Sequence, residues 1–463
     1  MQLTDLFEIA RRAMPVSAPL DPAFLPAVAV FSAYESGLTP DNSLEVTIAI
    51  ERAEGHITSV RQRLYADEAE WGDINRFLIE RLVKTLLWAY GGFRVVVGGP
   101  AYLAAHLRQV YAPGGTRDFD YHFIPKIYER PLQIEDCVDV PADVSGSRPV
   151  GRHLDGCRIG FDAGGSDRKV SAVVDGEVVF SEEVVWHPKT QPDPSYHYQG
   201  IVNSFKAAAS HMPRVDAIGI SSAGIYVANR TMVASLFIKV QEYEFEAKVK
   251  DIYLNAAREI GNVPLEVAND GDVTALAGAM DLEDNNVLGI AMGTSEAGGF
   301  VDGLGNITGW LNELAFVPVD FAPGAAIDEW SGDSGCGVKY FSQEAVAKLA
   351  PAANITLPSD LTPAEKLKAI QDGGEPTLPI FDTIGVYLGY TVAWYARFYE
   401  IRHVLILGRV TSGEGGTHIL EHARKTLTAV NADLASNITL HLPDESSRRV
   451  GQSIAAASLP AIQ

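Results

Sequence analysis

The sequence predicts an α/β protein with mixed sheets, in which two similar halves face one cleft. Segments that read as strands and helices alternate along the chain after about residue 156, which is the pattern of layered α/β domains. Two glycine-rich hairpins, in "DAGGSD" and "MGTSEAGG", each follow a buried apolar strand. The length of 463 residues is sufficient for two or three domains with cores of their own.

The composition is that of an ordinary globular protein, with 47% hydrophobic and 21% charged residues. The net charge of −22, from 37 basic and 59 acidic residues, argues against a nucleic-acid partner, and no basic recognition helix is evident. No apolar run reaches the length of a membrane span, so no membrane partner is expected. The three scattered cysteines and the absence of a signal-peptide pattern in "MQLTDLFEIARRAMP" favour the cytoplasm.

A segment rich in Pro, Gly, Ser and Asp, at 139–156, separates residues 1–150 from the rest. This N-terminal α+β extension contains two strands around Gly55, a helix in "WGDINRFLIERLVKTLLWAY" and a strand in "FRVVVGGP". The order loosely repeats that of the later chain but lacks the Asp and the paired glycines. We interpret the extension as a degenerate half-domain that serves packing or a homodimer.

The first half is predicted at 151–275 and the second at 276–463. Strands are expected in "VDAIGISSAG", "PLEVAND", "NNVLGIAMG" and "HVLILG", and helices in "GDVTALAGAM" and "IFDTIGVYLGYTVAWYARFYE". The aromatic residues at the end of the latter helix have helical spacing, which favours a place in the core over a cradle for a ligand. They are Trp394, Tyr395, Phe398 and Tyr399.

The first hairpin has the composition of a phosphate-binding turn. Gly164 and Gly165 let the backbone approach a ligand closely, and Ser166 adds a hydroxyl donor. Asp162 cannot contact phosphate directly, but it can hold Mg²⁺ through water beside a phosphate. The alternative is a tight hairpin with a solvated Asp.

In the second hairpin, Gly293 and Thr294 follow a buried strand and suit a second phosphate contact. The alternative is a glycine-rich hairpin that packs against a helix.

The sequence "VANDGDV" places Asn269 and Asp270 between a strand and a helix. One interpretation makes them N-caps, which Asn and Asp favour. The other makes Asp270 the general base that takes a proton from a substrate hydroxyl, with Asn269 bound to the same ligand and Asp272 as the cap.

These motifs in this order resemble the ROK family (repressors, open reading frames and sugar kinases) of the actin-like ATPase superfold. The resemblance extends over about residues 157–463 and includes "NELAFVPVD", "SGDSGCGVKYFSQEA" and "VLILGRVTSGEGG". It implies two actin-like (ribonuclease H-like) domains, with ATP and Mg²⁺ in the cleft and transfer of the γ-phosphate to a sugar hydroxyl. The implied activity is that of an ATP-dependent sugar kinase, a transferase of carbohydrate metabolism.

The resemblance also implies roles for residues. Asp270 matches the family's catalytic Asp. Sugar contacts are expected from Asn269, Glu313, Ser222 and Gly224. ATP and Mg²⁺ contacts are expected from Asp162, Gly164, Gly165, Ser166, Gly293, Thr294, Gly413, Gly415 and Gly416.

The sequence departs from the family pattern at the zinc site, which uses one His and three Cys. Phe316 takes the place of the His, and only Cys336 remains of the cysteines. We therefore predict no structural zinc. Asp167 stands where a Lys is common, which makes the phosphate turn more acidic.

Two alternatives to a kinase remain open. One is a non-catalytic regulator that responds to a sugar or nucleotide, and the other is an actin-like ATPase that acts on a protein partner. Retention of Asn269, Asp270 and Glu313 together favours the kinase.

Overall fold

We describe the protein from a computed structural model, which describes residues 1–144, 150–443 and 445–462. Part of the predicted break at 139–156 therefore lies outside the described residues. The N-terminal extension contains α1 (Leu3–Ala13), α2 (Ala27–Glu35), β1 (Ser43–Glu51), β2 (Ile57–Tyr65), α3 (Glu68–Ala89), β3 (Arg94–Gly98), α4 (Ala101–Val110), α5 (Asp118–Tyr128) and β4 (Gln133–Asp136).

The first half is a five-stranded sheet with helices packed on it. Its elements are β5 (Cys157–Ala163), β6 (Asp167–Val174), β7 (Glu177–Val185), α6 (Pro194–Ala209), β8 (Ala217–Ser222), the small hairpin β9 (Ile225–Val227) and β10 (Arg230–Val233), the single turn α7 (Glu242–Glu244), α8 (Ile252–Arg258), β11 (Leu265–Asn269) and α9 (Asp270–Asp281). The sheet order is β11-β8-β5-β6-β7.

The second half contains a four-stranded sheet in the order β13-β12-β14-β15. Its elements are β12 (Val287–Met292), β13 (Glu296–Val301), α10 (Gln343–Leu349), α11 (Pro363–Gln371), α12 (Leu378–Tyr395), β14 (His403–Leu407), α13 (Glu414–Val430), α14 (Ala432–Asn437), β15 (Thr439–His441) and α15 (Glu445–Ala457).

The two halves share one strand arrangement, which is that of actin-like domains. In the first half β5 is antiparallel to β6 and parallel to β8, which is parallel to β11. In the second half β12 is antiparallel to β13 and parallel to β14, which is parallel to β15. This repeated order confirms the predicted fold class.

The sheet of the extension follows a related order, β2-β1-β3-β4, with one difference in direction. Its central pair, β1 and β3, is antiparallel, whereas the matching pairs β5–β8 and β12–β14 are parallel. Strand β1 buries Val46, Ile48 and Ile50 on one face, and Ala49 on the opposite face is buried as well.

Helices α12 and α13 form the core of the second half. They approach closely because α12 carries Gly385 and Gly389, where a Cβ would lie 2.7 Å from backbone oxygens of α13. The four aromatic residues that follow the helical spacing, Trp394 to Tyr399, are buried, as predicted. On the other side of α12, the Tyr390 hydroxyl donates to the carbonyl of Val16 at 2.8 Å, which ties the extension to this core.

A second attachment of the extension is a buried ionic cluster, which comprises Glu80, Arg81, Lys84, Arg117, Asp120 and Asp333. Arg81 donates to both carboxylate oxygens of Asp333 at 3.2 Å, and Lys84 donates to both oxygens of Asp120 at 2.9 Å. All six side chains are almost fully buried. The cluster therefore holds α3 and α5 against the loop that precedes Cys336.

The last helix, which the sequence analysis placed in the second half, lies against the first half. Helix α15 packs on the sheet of the first half, where Gly160 and Gly219 leave room for it. A Cβ at Gly219 would lie 1.7 Å from the carbonyl oxygen of Ala456. The chain thus returns to the first half after completing the second, which no local pattern in the sequence indicated.

Within the described residues, no helix combines the length and apolar character that a membrane span requires.

Candidate active site

Polar side chains meet where β5, β8 and β11 end at the same edge of the first sheet. The register pairs Asp162 with Ser221 and Asn269 with Ser222. Because these strands are parallel, their carboxyl ends open into one crevice, which is where open α/β sheets bind ligands. The structure therefore brings the first hairpin and the "VAND" segment together.

Asp162 accepts a hydrogen bond of 2.9 Å from the Ser221 hydroxyl. Its pKa is raised to about 6, mainly by burial and secondly by the negative charge of Asp270. The two carboxylates are thus within electrostatic reach of each other. A divalent cation near Asp162 would relieve this repulsion, so the donor set fits the predicted indirect contact with Mg²⁺.

Asn269 is the N-cap of α9, and Asp270 is the first residue of that helix. The Asn269 Oδ1 accepts from the N–H of Gly271 at 2.7 Å, and its Nδ2 donates to the carbonyl of Gly224 at 2.8 Å. Asp272, predicted as the alternative cap, does not cap the helix. Its Oδ1 instead accepts from the N–H of Phe300 at 3.1 Å and from Asn312 Nδ2 at 2.8 Å.

The start of α9 lies directly against strand β13. A Cβ at Gly271 would lie 2.2 Å from the carbonyl oxygen of Gly298, and one at Gly299 would lie 2.1 Å from that of Gly271. Gly298 and Gly299 therefore serve helix packing, which was the alternative interpretation of the second hairpin. Gly293 and Thr294 form its turn, where Thr294 is exposed.

Burial raises the pKa of Asp270, and the N–H of Gly271 and the ammonium group of Lys189 oppose that rise. A raised pKa brings a carboxylate closer to the value that suits a general base near neutral pH. The side chain is half-buried at the start of its helix.

Glu313 comes from the loop after β13, whose backbone is attached to the end of α3. The N–H of Glu313 donates to the carbonyl of Trp88 at 3.0 Å. Its pKa is raised to about 7, first by burial and then by the charges of Asp270 and Asp272. The structure thus brings three of the predicted catalytic and sugar-binding residues, Asn269, Asp270 and Glu313, to one site.

Glu296 is a further buried carboxyl group, which the sequence analysis did not assign to the site. It is the first residue of β13, and neither of its carboxylate oxygens has a hydrogen-bond partner among the described residues. Burial, and after it the charge of Glu313, raises the pKa of Glu296 well above its usual range. An acidic residue at the start of an otherwise apolar strand was the signal in the sequence.

Lys189 is a second residue that the sequence analysis missed. A Cβ at Gly165 would lie 3.4 Å from its Nζ, which places the ammonium group beside the turn of the first hairpin. The turn itself is held by Trp186, whose Nε1 donates to the carbonyl of Gly164 at 2.8 Å. Ser166 donates to Asp167 at 3.0 Å. Lys189 lies in the loop after β7, so no local pattern connects it with this turn.

Ser222 does not offer a free hydroxyl to the crevice, contrary to the expected sugar contact. It is fully buried, accepts from the Tyr226 hydroxyl at 2.7 Å and lies 2.9 Å from that of Tyr253. Gly224 has a φ of 140° and a carbonyl bound to Asn269, and a Cβ there would lie 2.6 Å from the carbonyl oxygen of Val233. Glycine is therefore required at this turn.

The predicted adenosine loop is divided by its packing. Gly413 is exposed, with a φ of 68°, and precedes α13. Gly415 and Gly416 are buried, and a Cβ at these positions would lie 2.7 Å from Phe381 and 2.0 Å from the carbonyl oxygen of Thr411. Only Gly413 of the three therefore presents an open surface.

The residues that replace the zinc-site pattern form a contact surface for the extension. The Phe316 ring lies 4.3 Å from that of Trp88, centroid to centroid, and Asp333 belongs to the buried ionic cluster. Burial raises the pKa of Cys336 to about 12, so this thiol stays protonated. In the described part of the chain, no group of three or more His, Cys, Asp or Glu residues is arranged to hold a metal ion.

No family model and no curated protein matches the chain in sequence. Its structure is similar to those of ROK-family proteins. The ROK hexokinase from Thermus thermophilus is 17% identical, with a TM-score of 0.49 over 65% of this chain and 97% of that chain. A ROK-family glucokinase from Streptomyces griseus, in complex with glucose and AMPPNP, is 18% identical, with a TM-score of 0.48 over 65% and 98%.

A ROK-family transcriptional regulator, a homolog of the E. coli MLC protein, is 16% identical, with a TM-score of 0.45 over 83% of this chain and 96% of that chain. These are similarities of fold. The actin-like arrangement of this chain rests independently on its own strand order.

Proposed function

We propose that this protein is an ATP-dependent sugar kinase with Asp270 as its general base. The observation that carries the proposal is the position of Asp162, at the end of β5, and Asp270, directly after β11, at one edge of the first sheet. There the charge of Asp270 raises the pKa of both Asp162 and Glu313. Structural carboxylates are normally kept apart or paired with cations. Acidic groups held together at the edge of a sheet indicate a site that handles protons and a cation.

In this proposal Asp270 takes the proton from the acceptor hydroxyl, and Glu313 accepts a hydrogen bond from another hydroxyl of the sugar. Asn269 acts through the backbone, because its amide fixes both the start of α9 and the Gly224 turn. The turns at 164–166 and 293–294 offer backbone N–H groups and hydroxyls to the phosphates of ATP.

Asp162 would hold Mg²⁺ through water, and the ion would neutralise phosphate charge. Lys189 beside the first turn would add to that neutralisation, which compensates for the acidic Asp167. Gly413 would border the adenosine. The reaction then depends on positioning and charge stabilisation, since phosphoryl transfer requires little covalent help from the protein.

Incubation of the purified protein with ATP, Mg²⁺ and a panel of sugars, with ADP release measured, tests the proposal. A kinase releases ADP in proportion to one class of sugar. ADP release that no sugar stimulates would favour an ATPase that acts on a protein partner. Sugar or nucleotide binding without turnover would favour a regulator. We place the protein in the cytoplasm. We also propose that it forms a homodimer, and light scattering tests this oligomeric state.

A further inference from the structure

A cavity of about 170 Å³ lies where the extension meets both halves of the protein. Arg52 and Tyr128 of the extension, the turn from Gly224 to Asn229 of the first half, and the segment from Ile307 to Leu311 of the second half line it. Asn269 and Asp272 also border it, but Asp270 and Glu313 do not. The cavity is therefore a neighbour of the candidate active site and has a wall that the extension supplies.

Arg52 is a buried cation on this wall. It follows β1, its backbone N–H donates to the carbonyl of His56 at 2.8 Å, and only 6% of the residue is exposed. Its Nε and Nη1 have no hydrogen-bond partner among the described residues, and its Nη2 reaches Thr58 Oγ1 at a long 3.4 Å. Burial lowers the pKa of Arg52, and the groups that oppose this are two phenols, those of Tyr128 and Tyr90.

Several other polar groups on the wall are satisfied within the protein. Asn229 donates to the carbonyl of Leu265 at 3.0 Å and accepts from the N–H of Val267 at 2.8 Å. Tyr226 donates to Ser222. Three acids lie on the wall. Glu54 and Glu266 have interactions of their own, and Asp272 accepts from the N–H of Phe300 and from Asn312. The guanidinium group of Arg52, by contrast, is a buried cation on the wall whose bonding capacity is largely unused.

A buried guanidinium without a counter-ion is unfavourable, and arginine remains charged in proteins. Its planar fork matches the oxygens of a carboxylate or a phosphate group. We infer that the cavity is a binding site for a small anion with a carboxylate or phosphate group, anchored by Arg52. Because its walls come from three parts of the chain, a bound anion would hold the extension against both halves.

The test is thermal unfolding of the full chain in sodium phosphate and in sodium acetate, against sodium chloride at the same ionic strength. We expect one of the two anions to raise the midpoint saturably, by about 2 °C or more, since it binds only the folded protein. Arg52→Met should lose this saturable rise, except for any part that anion binding elsewhere produces equally in both proteins. In chloride alone its midpoint should equal or exceed that of the wild type, because the variant removes an unpaired buried charge.

Arg61→Gln is the matched control, because Arg61 lies on the adjacent strand β2 with its side chain 74% exposed. It should keep the full response. Phosphate that binds at the ATP turns stabilises both Arg52→Met and the wild type, so the difference between them is the measured quantity. If Arg52→Met does not fold, Arg52→Lys replaces it, and the half-saturating concentration should rise about tenfold with the loss of the fork.

Equal stabilisation of Arg52→Met and wild type, or no saturable effect of either anion on the wild type, would overturn the inference. So would a lower midpoint of folded Arg52→Met in chloride. The outcome is independent of catalysis. An Arg52-dependent response in a protein without kinase activity would keep this site and remove the proposed function, whereas an active kinase without that response would do the reverse.

Discussion

The side-chain amide of Asn269 donates a hydrogen bond of 2.8 Å to the carbonyl oxygen of Gly224, while its oxygen caps helix α9. One side chain thus connects the turn after β8 with the helix that begins at Asp270. The position of the proposed base depends on this connection, because α9 starts at the residue that follows Asn269.

Asn269→Asp should separate the two roles of Asn269. Aspartate caps a helix as well as asparagine, but it cannot donate to Gly224 and it adds a negative charge beside Asp270. We expect turnover to fall at least tenfold while the free energy of unfolding changes by about 1 kcal/mol or less. Asn269→Ala removes both roles and should cost about 1–2 kcal/mol. Chemical denaturation and an ADP-release assay measure the two effects, and normal turnover in Asn269→Asp would contradict the assigned connection.

Gly271→Ala should disturb the site by contact with β13. The added Cβ would lie 2.2 Å from the carbonyl oxygen of Gly298, and a backbone oxygen cannot rotate away. We expect a loss of about 1–3 kcal/mol in the free energy of unfolding, together with reduced turnover. Gly261→Ala is the control, since a Cβ there would lie 3.8 Å from its nearest neighbour, the side chain of Val263. Equal stability of the two variants would mean that α9 does not require this close approach.

The pH dependence of stability should report the buried acids. Burial and neighbouring charges raise the pKa of Glu313 to about 7, above that of the unfolded chain. The folded protein therefore binds this proton more tightly. The contribution of Glu313 is fully present below about pH 4 and is lost as the pH rises through about 7.

Glu313→Gln should remove that part of the pH dependence. The variant should gain stability relative to the wild type between about pH 5 and pH 8, as measured by urea denaturation at several pH values. Glu45→Gln, at an exposed side chain on β1, should leave the profile unchanged. Parallel profiles for Glu313→Gln and the wild type would show that Glu313 ionises normally.

The buried ionic cluster should respond strongly to the loss of a single partner. Lys84→Met leaves the carboxylate of Asp120 without its cation, and we expect a loss of about 3–5 kcal/mol. The double variant Lys84→Met/Asp120→Leu should recover much of that loss, although Trp88 then lacks the acceptor that Asp120 provides. Urea denaturation measures both losses. A double variant that is no more stable than Lys84→Met would show that the unpaired carboxylate of Asp120 does not cause the loss.

The sequence was informative where function needs a local pattern. Asp162 and the glycines of the first hairpin, and Asn269 with Asp270, stand at strand ends that apolar runs mark clearly. The alternating elements were sufficient to predict the fold class. Asn269 also shows a limit of prediction from sequence, because asparagine suits both a helix cap and a ligand contact. Only the structure shows that Asn269 caps α9.

The contributions of distant segments could not be predicted. Lys189 reaches the first turn from a loop after β7. Glu296 becomes a buried acid only when later segments, such as that around Gly337, pack against it. Helix α15 returns to the first half. The hydroxyl of Ser222 is not free in the crevice, because it is hydrogen-bonded to Tyr226 and Tyr253 of later elements. Each of these facts depends on tertiary contacts between segments far apart in the chain, which periodicity and turn chemistry do not encode.

The turnover of Asp270→Asn tests the central claim most directly. Asn keeps the size of the side chain but cannot accept the proton. We expect ADP release with the preferred sugar to fall by about 10²- to 10⁴-fold, while the thermal midpoint and the affinity for ATP stay near those of the wild type. Near-normal turnover in a folded Asp270→Asn protein would contradict the account and place the base on another residue.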